Sequence, residues 1–253
     1  MQKTLEVDLL AHTQVTESWK DYWKAHGGIE DVVDGQAVAL TAIRTCYSPL
    51  TPFEIVLKEG KKYFNESAAD GGKGTEADRL LRHIMKSGHT STIEHLSFTF
   101  MISGLSRAAL AQLTRHRVGF SYSVQSQRFV KFGSGDKSGG FDYVIPESIK
   151  KVNAPNPEIL MMVFEEMMRD IQVKYDYLRD QGVSAEDARS ILPQAAACNL
   201  TMTANLRSII DFYRKRGPHT HAQAEIQDLA VQMREAVTEA EPWTDMFFGE
   251  GAE

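Results

Sequence analysis

The chain has 253 residues, of which 42% are hydrophobic, 25% charged and 9% aromatic, and these proportions exclude a wholly disordered or fibrous protein. The 28 lysines and arginines are outnumbered by 34 aspartates and glutamates, which gives a net charge of −6 at pH 7. An acidic chain does not bind nucleic acid or an anionic membrane through its surface as a whole, so we expect neither partner and leave open only a local basic pocket.

The first half of the chain predicts one helix, one clear strand, a weaker strand and a second helix. Residues 5–10 are the weaker strand candidate. Residues 76–87 place apolar side chains on one side and stop at Gly88, a pattern typical of an amphipathic helix. Residues 96–103 alternate between apolar and polar, which predicts a strand, and residues 105–116 predict a helix. The apolar face of the clear strand consists of Leu96, Phe98, Phe100 and Ile102.

The second half of the chain predicts longer helices. Residues 157–181 show a long amphipathic pattern whose methionines we expect to pack in the core, and residues 205–215 and 221–240 predict two more helices. Residues 199–203 are another weak strand candidate. Long helices with a few scattered strands predict the mixed α/β (α+β) class, with a mixed β-sheet flanked by long helices. Because no linker divides the chain, we expect a single domain of residues 1–253.

Two segments rich in glycine and polar residues, 65–75 and 133–141, predict surface loops. Each contains a lysine that suggests a phosphate-binding loop. Neither Lys73 nor Lys137 has the flanking residues that such a loop requires, so we do not expect one.

Cysteine content and hydropathy favour a cytoplasmic protein. Cys46 and Cys198 lie far apart in the sequence, and we expect two reduced thiols rather than a disulfide or a metal motif. No apolar run approaches the roughly 20 residues that cross a bilayer. The first residues also lack a basic region followed by a long apolar stretch, so no signal peptide is expected.

Polar chemistry is concentrated in residues 88–129. Arg115-His116-Arg117 closes the predicted helix, and the helix dipole favours positive charge at a C-terminus, which is one explanation for the triplet. That explanation does not cover the residues after it, where hydroxyl, amide and guanidinium donors for oxyanions crowd together. These donors belong to Ser121, Ser123, Gln125, Ser126, Gln127 and Arg128.

A second group of polar residues lies nearer the C-terminus. Arg189 precedes an apolar stretch, and the next predicted helix carries Arg207 and Asp211 four residues apart, a spacing that by itself favours an ion pair on a solvated face. His219 and His221 have no further residues at metal-ligand spacing, so we expect no metal. Local arginines in an acidic chain fit a phosphorylated small molecule better than a single-stranded nucleic acid, whose binding needs aromatic residues among the basic ones.

These motifs together resemble the signature of flavin-dependent thymidylate synthases, which consists of an Arg-His-Arg triplet, a short spacer, a serine and a nearby arginine. The matching residues here are Arg115, His116, Arg117, Ser126 and Arg128. The resemblance extends upstream through the pattern GHxSxxEH at residues 88–95. It extends downstream through NxRS at 205–208 and HAQxEI at 221–226, and it covers most of residues 44–247.

This resemblance implies a mixed α/β domain that assembles as a homotetramer with active sites shared between subunits. It also implies reductive methylation of dUMP to dTMP, with methylenetetrahydrofolate as carbon donor, FAD as redox carrier and NADPH as reductant. The residues expected at FAD are His89, which would also lie near the folate, Ser91, Arg115, His116, Arg117, Gln125, Asn205, Arg207 and Asp211. The residues expected at dUMP are Gln112, Arg115, Ser126, Gln127, Arg128, Arg189 and Arg216.

In such a reaction, uracil C5 becomes nucleophilic when a nucleophile adds at C6 or when electron density is drawn toward the carbonyl edge. Neither cysteine lies in the signature, and no base is evident beside Ser126. We therefore expect Ser126 to position the substrate and keep a serine nucleophile as the second option. Arg216 is the candidate catalytic residue, because its charge would stabilise the N3-ionised pyrimidine. His116 and His95 are expected to orient their neighbours.

The sequence departs from the family pattern at several positions. An eight-residue spacer, 118–125, follows the triplet where seven residues are commonest, and Val124, Phe129 and Asp211 replace more usual residues. Two other functions stay open. One is a different flavin or phosphate-ligand enzyme with a similar set of arginines, and the other is a non-catalytic nucleotide-binding protein that has kept the pocket.

Overall fold

The computed structural model of the protein describes residues 1–29, 33–153 and 156–249. Over these residues the chain forms four β-strands and ten α-helices. The strands are β1 (Glu6–His12), β2 (Ser97–Ser106), β3 (Phe120–Val124) and β4 (Ala197–Asn205). The helices are α1 (Glu17–Ala25), α2 (Asp34–Tyr47), α3 (Pro52–Asn65), α4 (Glu76–Lys86), α5 (Arg107–Leu113), α6 (Glu147–Lys151), α7 (Pro157–Asp180), α8 (Ala185–Ala188), α9 (Leu206–Arg216) and α10 (Ala224–Ala240).

The strands form one sheet in the order β1-β2-β4-β3. The predicted mixed α+β class is confirmed, with one correction: the sheet is antiparallel throughout rather than mixed, because β4 lies between β2 and β3 and runs opposite to both. β4 therefore positions β3 in the sheet. The predicted site residues lie at the two ends of β3.

One face of the sheet forms the main core with α2, α4, α5, α9 and α10. The predicted apolar face of the clear strand is confirmed, since all four of its residues are at most 2% exposed. The opposite face is polar, and there the hydroxyl oxygens of Thr99 and Thr203 lie 2.9 Å apart on neighbouring strands. In the part of the chain that the structure describes, helices therefore cover one side of the sheet and leave the other side open.

Most predicted elements are confirmed with small shifts at their ends. α4, α7, α9 and α10 begin and end within three residues of the predicted bounds, and the two weak strand candidates are parts of β1 and β4. The segments 65–75 and 133–141 are largely loops, as predicted. α1, α2, α3, β3, α6 and α8 go beyond the predicted elements.

The helix predicted at residues 105–116 is shorter and starts later. β2 continues to Ser106, whose hydroxyl caps α5 by accepting a backbone N–H at 3.1 Å. α5 ends at Leu113, and the hydroxyl of Tyr122 lies 3.1 Å from the Leu113 carbonyl and 2.6 Å from the His116 carbonyl, where it satisfies acceptors at the helix end. The Arg-His-Arg triplet therefore lies in a turn beyond α5 and does not close the helix.

The predicted core packing of the methionines in α7 is only partly confirmed. Met168 is buried, but Met162 and Met167 are 65% and 54% exposed. One side of α7 packs on the loop 133–141, where the Gln172 side chain accepts the Phe141 backbone N–H at 2.8 Å. The helix presents a second, apolar face to solvent, and this α7 face consists of Ile159, Leu160, Met162, Val163, Met167, Val173 and Tyr177.

Both cysteines are free thiols, with Cys46 exposed and Cys198 buried. Burial raises the pKa of the Cys198 thiol to about 11, so this sulfur stays protonated at pH 7. Among the described residues, no helix has both the length and the apolar character needed to cross a membrane.

Candidate active site

Most of the residues predicted to bind FAD and dUMP fall into two groups at the two ends of β3. This strand pairs with β4 from Phe120 opposite Ala204 to Val124 opposite Leu200, a length of about 13 Å. The triplet group lies at the Phe120 end and consists of Gln112, Arg115, His116, Arg117, Asn205, Arg207, Asp211 and Arg216. The serine group lies beyond the Val124 end and consists of Gln125, Ser126, Gln127, Arg128 and Arg189.

The turn that carries the triplet packs against the start of α9. Asn205 caps this helix through its side-chain oxygen, which accepts the Ser208 backbone N–H at 2.9 Å. The Ser208 hydroxyl donates to the Val118 carbonyl at 2.9 Å. Gly119 has a φ of +73°, and a Cβ there would lie 2.1 Å from the Ser208 hydroxyl oxygen, so only glycine fits. The downstream NxRS motif thus holds the triplet turn in place.

His116 and Arg216 are joined side chain to side chain within the triplet group. The Arg216 Nε–H donates to His116 Nε2 at 3.2 Å, so the imidazole carries its proton on Nδ1. The ring meets Phe212 edge to face, with ring centroids 5.0 Å apart. Burial, and then the charge of Arg216, lower the pKa of His116 below its ordinary value of 6.5. The imidazole is therefore neutral at pH 7 and keeps this acceptor available.

Arg115 and Arg117 lie on either side of His116 with exposed side chains. Among the described residues, neither guanidinium has a hydrogen-bond or ion-pair partner. A guanidinium offers paired charged donors that match phosphate oxygens. FAD carries a pyrophosphate, so the donors of this turn fit the predicted cofactor.

The ion pair that spacing favours between Arg207 and Asp211 does not form. Arg207 instead pairs with Glu94 of the GHxSxxEH motif. Asp211 pairs with Lys215 one turn further along α9, at 2.8 Å. The contact with Glu94 joins the upstream motif to the triplet group, which the spacing of residues within α9 could not indicate.

His89 lies beside this contact, just before the 3₁₀ turn Thr90–Ile93 that packs on α9 and contains the exposed Ser91. Its Nδ1 lies 2.9 Å from the hydroxyl oxygen of Tyr47, and the two rings meet edge to face with centroids 5.7 Å apart. Tyr47 is the last residue of α2. No motif in the sequence points to it, because its contact depends on how α2 packs.

The serine group forms a tight turn after β3. The Ser126 hydroxyl accepts the Arg128 backbone N–H at 3.2 Å. The Arg128 guanidinium donates to the Glu186 carboxylate at 3.0 Å, and Arg189 donates through Nε to the Glu186 backbone carbonyl at 3.0 Å. Glu186 therefore brings two predicted phosphate ligands together, although no sequence pattern pairs it with either arginine.

Other residues of the signature hold the fold around these groups. Glu225 of the HAQxEI motif accepts both the backbone N–H and the hydroxyl of Ser106, at 2.7 and 2.6 Å. Gln223 of the same motif accepts the side-chain amide of Gln112 at 2.6 Å. Both contacts attach the start of α10 to α5, so the downstream motif positions the helix that runs beside β3 between the two groups.

Comparison with known proteins gives concordant results. A family model described as thymidylate synthase complementing protein matches residues 29–243. The flavin-dependent thymidylate synthase of Geobacter sulfurreducens is 39% identical over 214 residues, which are 85% of this chain and 82% of that protein. The flavin-dependent thymidylate synthase of Clostridium tetani is 33% identical over 230 residues, again 85% of this chain and 82% of that protein.

A solved structure has the same fold. The UMP/dUMP methylase PolB from Streptomyces cacaoi, bound with 5-Br dUMP, matches with a TM-score of 0.69 and 20% identity. The match covers 98% of this chain and 96% of that chain. At this identity the likeness concerns the fold alone.

Proposed function

The chain belongs to the flavin-dependent thymidylate synthase family and is a methyltransferase, and from this premise we propose that it converts dUMP to dTMP by reductive methylation. Methylenetetrahydrofolate is the proposed carbon donor, FAD the redox carrier and NADPH the reductant. Two relatives carry the name of this activity, and a methylase of the same fold is bound with 5-Br dUMP. Both observations support a pyrimidine nucleotide as substrate.

The contact between His116 and Arg216 carries the proposal. Arg216 uses Nε on the imidazole, and among the described residues its terminal nitrogens have no other hydrogen-bond partner, so they are free to bind the carbonyl edge of uracil. A fixed positive charge there stabilises the N3-ionised pyrimidine and draws electron density through the ring toward C5. The neutral imidazole orients the guanidinium without adding a competing charge.

The arginines of the triplet turn support a flavin site. Arg115 and Arg117 bind the pyrophosphate through charge-assisted hydrogen bonds. When bound, FAD supplies the hydride that reduces the transferred one-carbon unit. The other residues proposed to line the flavin are His89, Ser91, His116, Gln125, Asn205, Arg207 and Asp211.

The serine group supports binding of the dUMP phosphate. Arg128 and Arg189 supply charged donors, and Gln112, Arg115 and Gln127 complete the proposed contacts to the nucleotide. The Ser126 hydroxyl has one hydrogen-bond partner among the described residues, the Arg128 backbone N–H, and no neighbouring base. A serine without a base is a weak nucleophile, which supports a positioning role for Ser126.

A homotetramer of this single domain, with active sites shared between subunits, is the proposed assembly. The triplet and serine groups lie about 13 Å apart along β3, so a second copy can bring its own serine group to the triplet group of the first. The α7 face exposes seven large apolar side chains, and a patch of this kind is typical of a surface that meets another protein.

A purified sample tests the proposed function. The protein should be yellow, and its flavin absorbance should bleach when NADPH is added. Tritium should then be released from dUMP labelled at C5 in the presence of methylenetetrahydrofolate, FAD and NADPH. A colourless protein that stays colourless with added FAD would contradict the proposal. Flavin and dUMP binding without tritium release would instead favour a non-catalytic nucleotide-binding protein.

The variant Arg216→Ala tests the catalytic assignment. Loss of the guanidinium should reduce tritium release by at least about 100-fold, the scale of an electrostatic donor to a reacting group. FAD should stay bound, because Arg115 and Arg117 are untouched. Activity that survives in this variant would show that another residue activates the pyrimidine.

A further inference from the structure

Arg107 lies beside the serine group, and the proposed function leaves it unassigned. It is the first residue of α5, and its backbone N–H donates to the Ala196 carbonyl at 3.0 Å. Its guanidinium lies just beyond the Val124 end of β3 and donates through Nη2 to the Gln125 backbone carbonyl at 3.2 Å. Gln125 directly precedes Ser126, so Arg107 contacts the entry of the turn that carries the serine group.

Gln125 is held from two sides. Its backbone N–H donates to the Asn199 carbonyl at 2.9 Å, and its side-chain oxygen accepts the Asn199 side-chain amide at 3.4 Å. Arg107 takes the remaining backbone group, the carbonyl. With β4 on one side and α5 on the other, the position of Ser126 is set by these contacts before any ligand binds.

If its only role were to stabilise the fold, the Arg107 side chain would carry a cost in free energy. Nε of Arg107 is fully buried and has no hydrogen-bond partner among the described residues. A buried, unsatisfied donor lowers stability, and an apolar side chain at such a place is often neutral or better. An arginine kept there fits a requirement for its long, forked reach across to Gln125.

We propose that Arg107 is a positioning residue for the nucleotide: it fixes the Gln125–Arg128 turn so that Ser126 and Arg128 meet the phosphate together with Arg189. This inference rests on the proposed function. Arg107 itself is not placed in contact with the substrate, and it acts through the Gln125 carbonyl. Gln125 is the one proposed flavin residue at this end of β3, and Asn199 holds its side chain independently of Arg107, so loss of the contact should weaken FAD binding less than dUMP binding.

The test compares Arg107→Gln with Arg107→Lys in the FAD-loaded enzyme. Isothermal titration with dUMP should show about tenfold weaker binding for Arg107→Gln, the loss of roughly one hydrogen bond from a charged donor. Arg107→Lys keeps a charged donor of similar length and should recover part of that affinity. KM for dUMP should rise in parallel, kcat at saturating dUMP should stay at the wild-type value, and the affinity for FAD should fall by less than the affinity for dUMP.

The matched control is Arg82→Gln. Arg82 also donates to a backbone carbonyl, that of Lys73 at 2.8 Å, but in the loop 65–75. This control should bind dUMP and FAD as the wild type does.

Three outcomes overturn the inference. They are unchanged dUMP affinity in Arg107→Gln, equal loss of dUMP and FAD affinity in both Arg107 variants, and a control that is impaired as strongly as they are. If Arg107→Gln does not fold, the same comparison is made with Arg107→Lys, which should show a smaller loss that is greater for dUMP than for FAD. A wild-type protein that binds FAD but no dUMP would overturn the proposed function itself, and the assignment of Arg107 with it.

Discussion

Arg216 and His116 hold each other through the one ring nitrogen that a neutral imidazole offers as an acceptor. The pairing works only while that nitrogen is unprotonated. Burial and the nearby charge of Arg216 both disfavour the imidazolium, and they keep the pKa of His116 below 6.5. The charge of Arg216, which is proposed to activate uracil, thus also helps to keep the His116 imidazole neutral.

The lowered pKa of His116 predicts a loss of stability in acid. In the unfolded chain a histidine takes up its proton near pH 6.5, whereas in the fold it does so only at lower pH. The stability that neutral His116 contributes is therefore present above about pH 6.5 and lost as the pH falls through the folded-state pKa. Urea unfolding between pH 7.5 and 5 should show a shallower acid decline for His116→Asn than for the wild type. Equal declines would show that His116 is not responsible.

Gly119 predicts a second effect at a single residue. Gly119 and Gly71 share a φ of +73°, but a Cβ on Gly119 would meet the Ser208 hydroxyl, whereas nothing lies within 4 Å at Gly71. Gly71→Ala should therefore cost about 1 kcal/mol from the backbone conformation alone. Gly119→Ala should cost clearly more and should weaken FAD binding, because the triplet turn must move. Urea unfolding and FAD titration measure both effects, and similar values for the two variants would contradict this account of the turn.

The sequence predicts several of the residues in the site but not the residues that pair with them. The signature identifies Arg207, Arg128 and Arg189 by type and order, because their chemistry suits phosphates. It does not identify Glu94 and Glu186 as their partners, since those contacts join segments that are distant along the chain. Spacing within one helix favours a pairing of Arg207 with Asp211 that tertiary contacts override.

Elements with a strong repeating pattern are predicted best. The alternation in β2 and the helical periodicity of α4, α7 and α10 depend on local burial, and the structure confirms them. β3 has the same alternation, with Phe120, Tyr122 and Val124 packed against the core and Ser121 and Ser123 exposed. Its serines suggest only ligand chemistry in the sequence, whereas in the structure they lie on the polar face of the sheet.

Two other elements differ from the prediction: α3 was not predicted, and α5 starts later than predicted. Each difference has a physical reason. α3 begins with Thr51 and Glu54 in a capping box and Pro52 at its first turn, a start signal that is readable in the sequence. The start of α5 depends on Ser106, which belongs to both β2 and the helix cap. Its carboxylate partner lies in α10, so no local pattern fixes the boundary.

Glu241 connects three elements, and its removal should be strongly destabilising. It precedes the 3₁₀ turn Pro242–Phe247 and is 2% exposed. Its carboxylate accepts the Gly35 backbone N–H of α2 at 2.9 Å and the Trp243 indole N–H of the turn at 2.6 Å, and it lies 3.7 Å from Nδ1 of His12 in β1. Glu241→Ala leaves the buried Gly35 N–H and the partly buried Trp243 indole N–H without their acceptor and should lower the free energy of unfolding by about 3 kcal/mol.

The control for Glu241→Ala is Glu239→Ala, which removes an exposed carboxylate two residues earlier in the chain. Urea unfolding of this control should match the wild type within about 0.5 kcal/mol. If the two variants lose the same stability, the buried carboxylate does not connect β1, α2 and the C-terminal turn as described.

The whole molecule is acidic, yet the guanidiniums of Arg115 and Arg117 lie exposed in one turn, without partners among the described residues. Composition therefore excludes a general attraction to polyanions and says nothing about local charge. The scarcity of cysteine agrees with this arrangement: Cys198 is buried with a raised pKa, and Cys46 lies on α2 outside the signature. Both observations agree with the proposal that uracil is activated through charge rather than through a thiolate.

Two exposed surfaces of the single chain are relevant to the proposed assembly. The α7 face is apolar and exposed, and no helix of the described residues covers the polar side of the sheet. The sequence predicts the helix but not the exposure of this face, because periodicity alone does not distinguish a core face from an interface between subunits. These surfaces support the proposal that copies of the chain complete one another's active sites.

Subunit complementation tests the central claim most directly. Arg216→Ala removes a residue of the triplet group and Arg128→Ala one of the serine group, and each variant alone should be inactive. When the two are co-expressed with different tags and purified through both, some active sites of the mixed oligomer carry neither substitution. Tritium release from C5-labelled dUMP should then return, whereas a mixture of Arg216→Ala with Arg115→Ala, both in the triplet group, should stay inactive. A mixed oligomer of Arg216→Ala and Arg128→Ala that is as inactive as either variant would contradict a dUMP site shared between subunits.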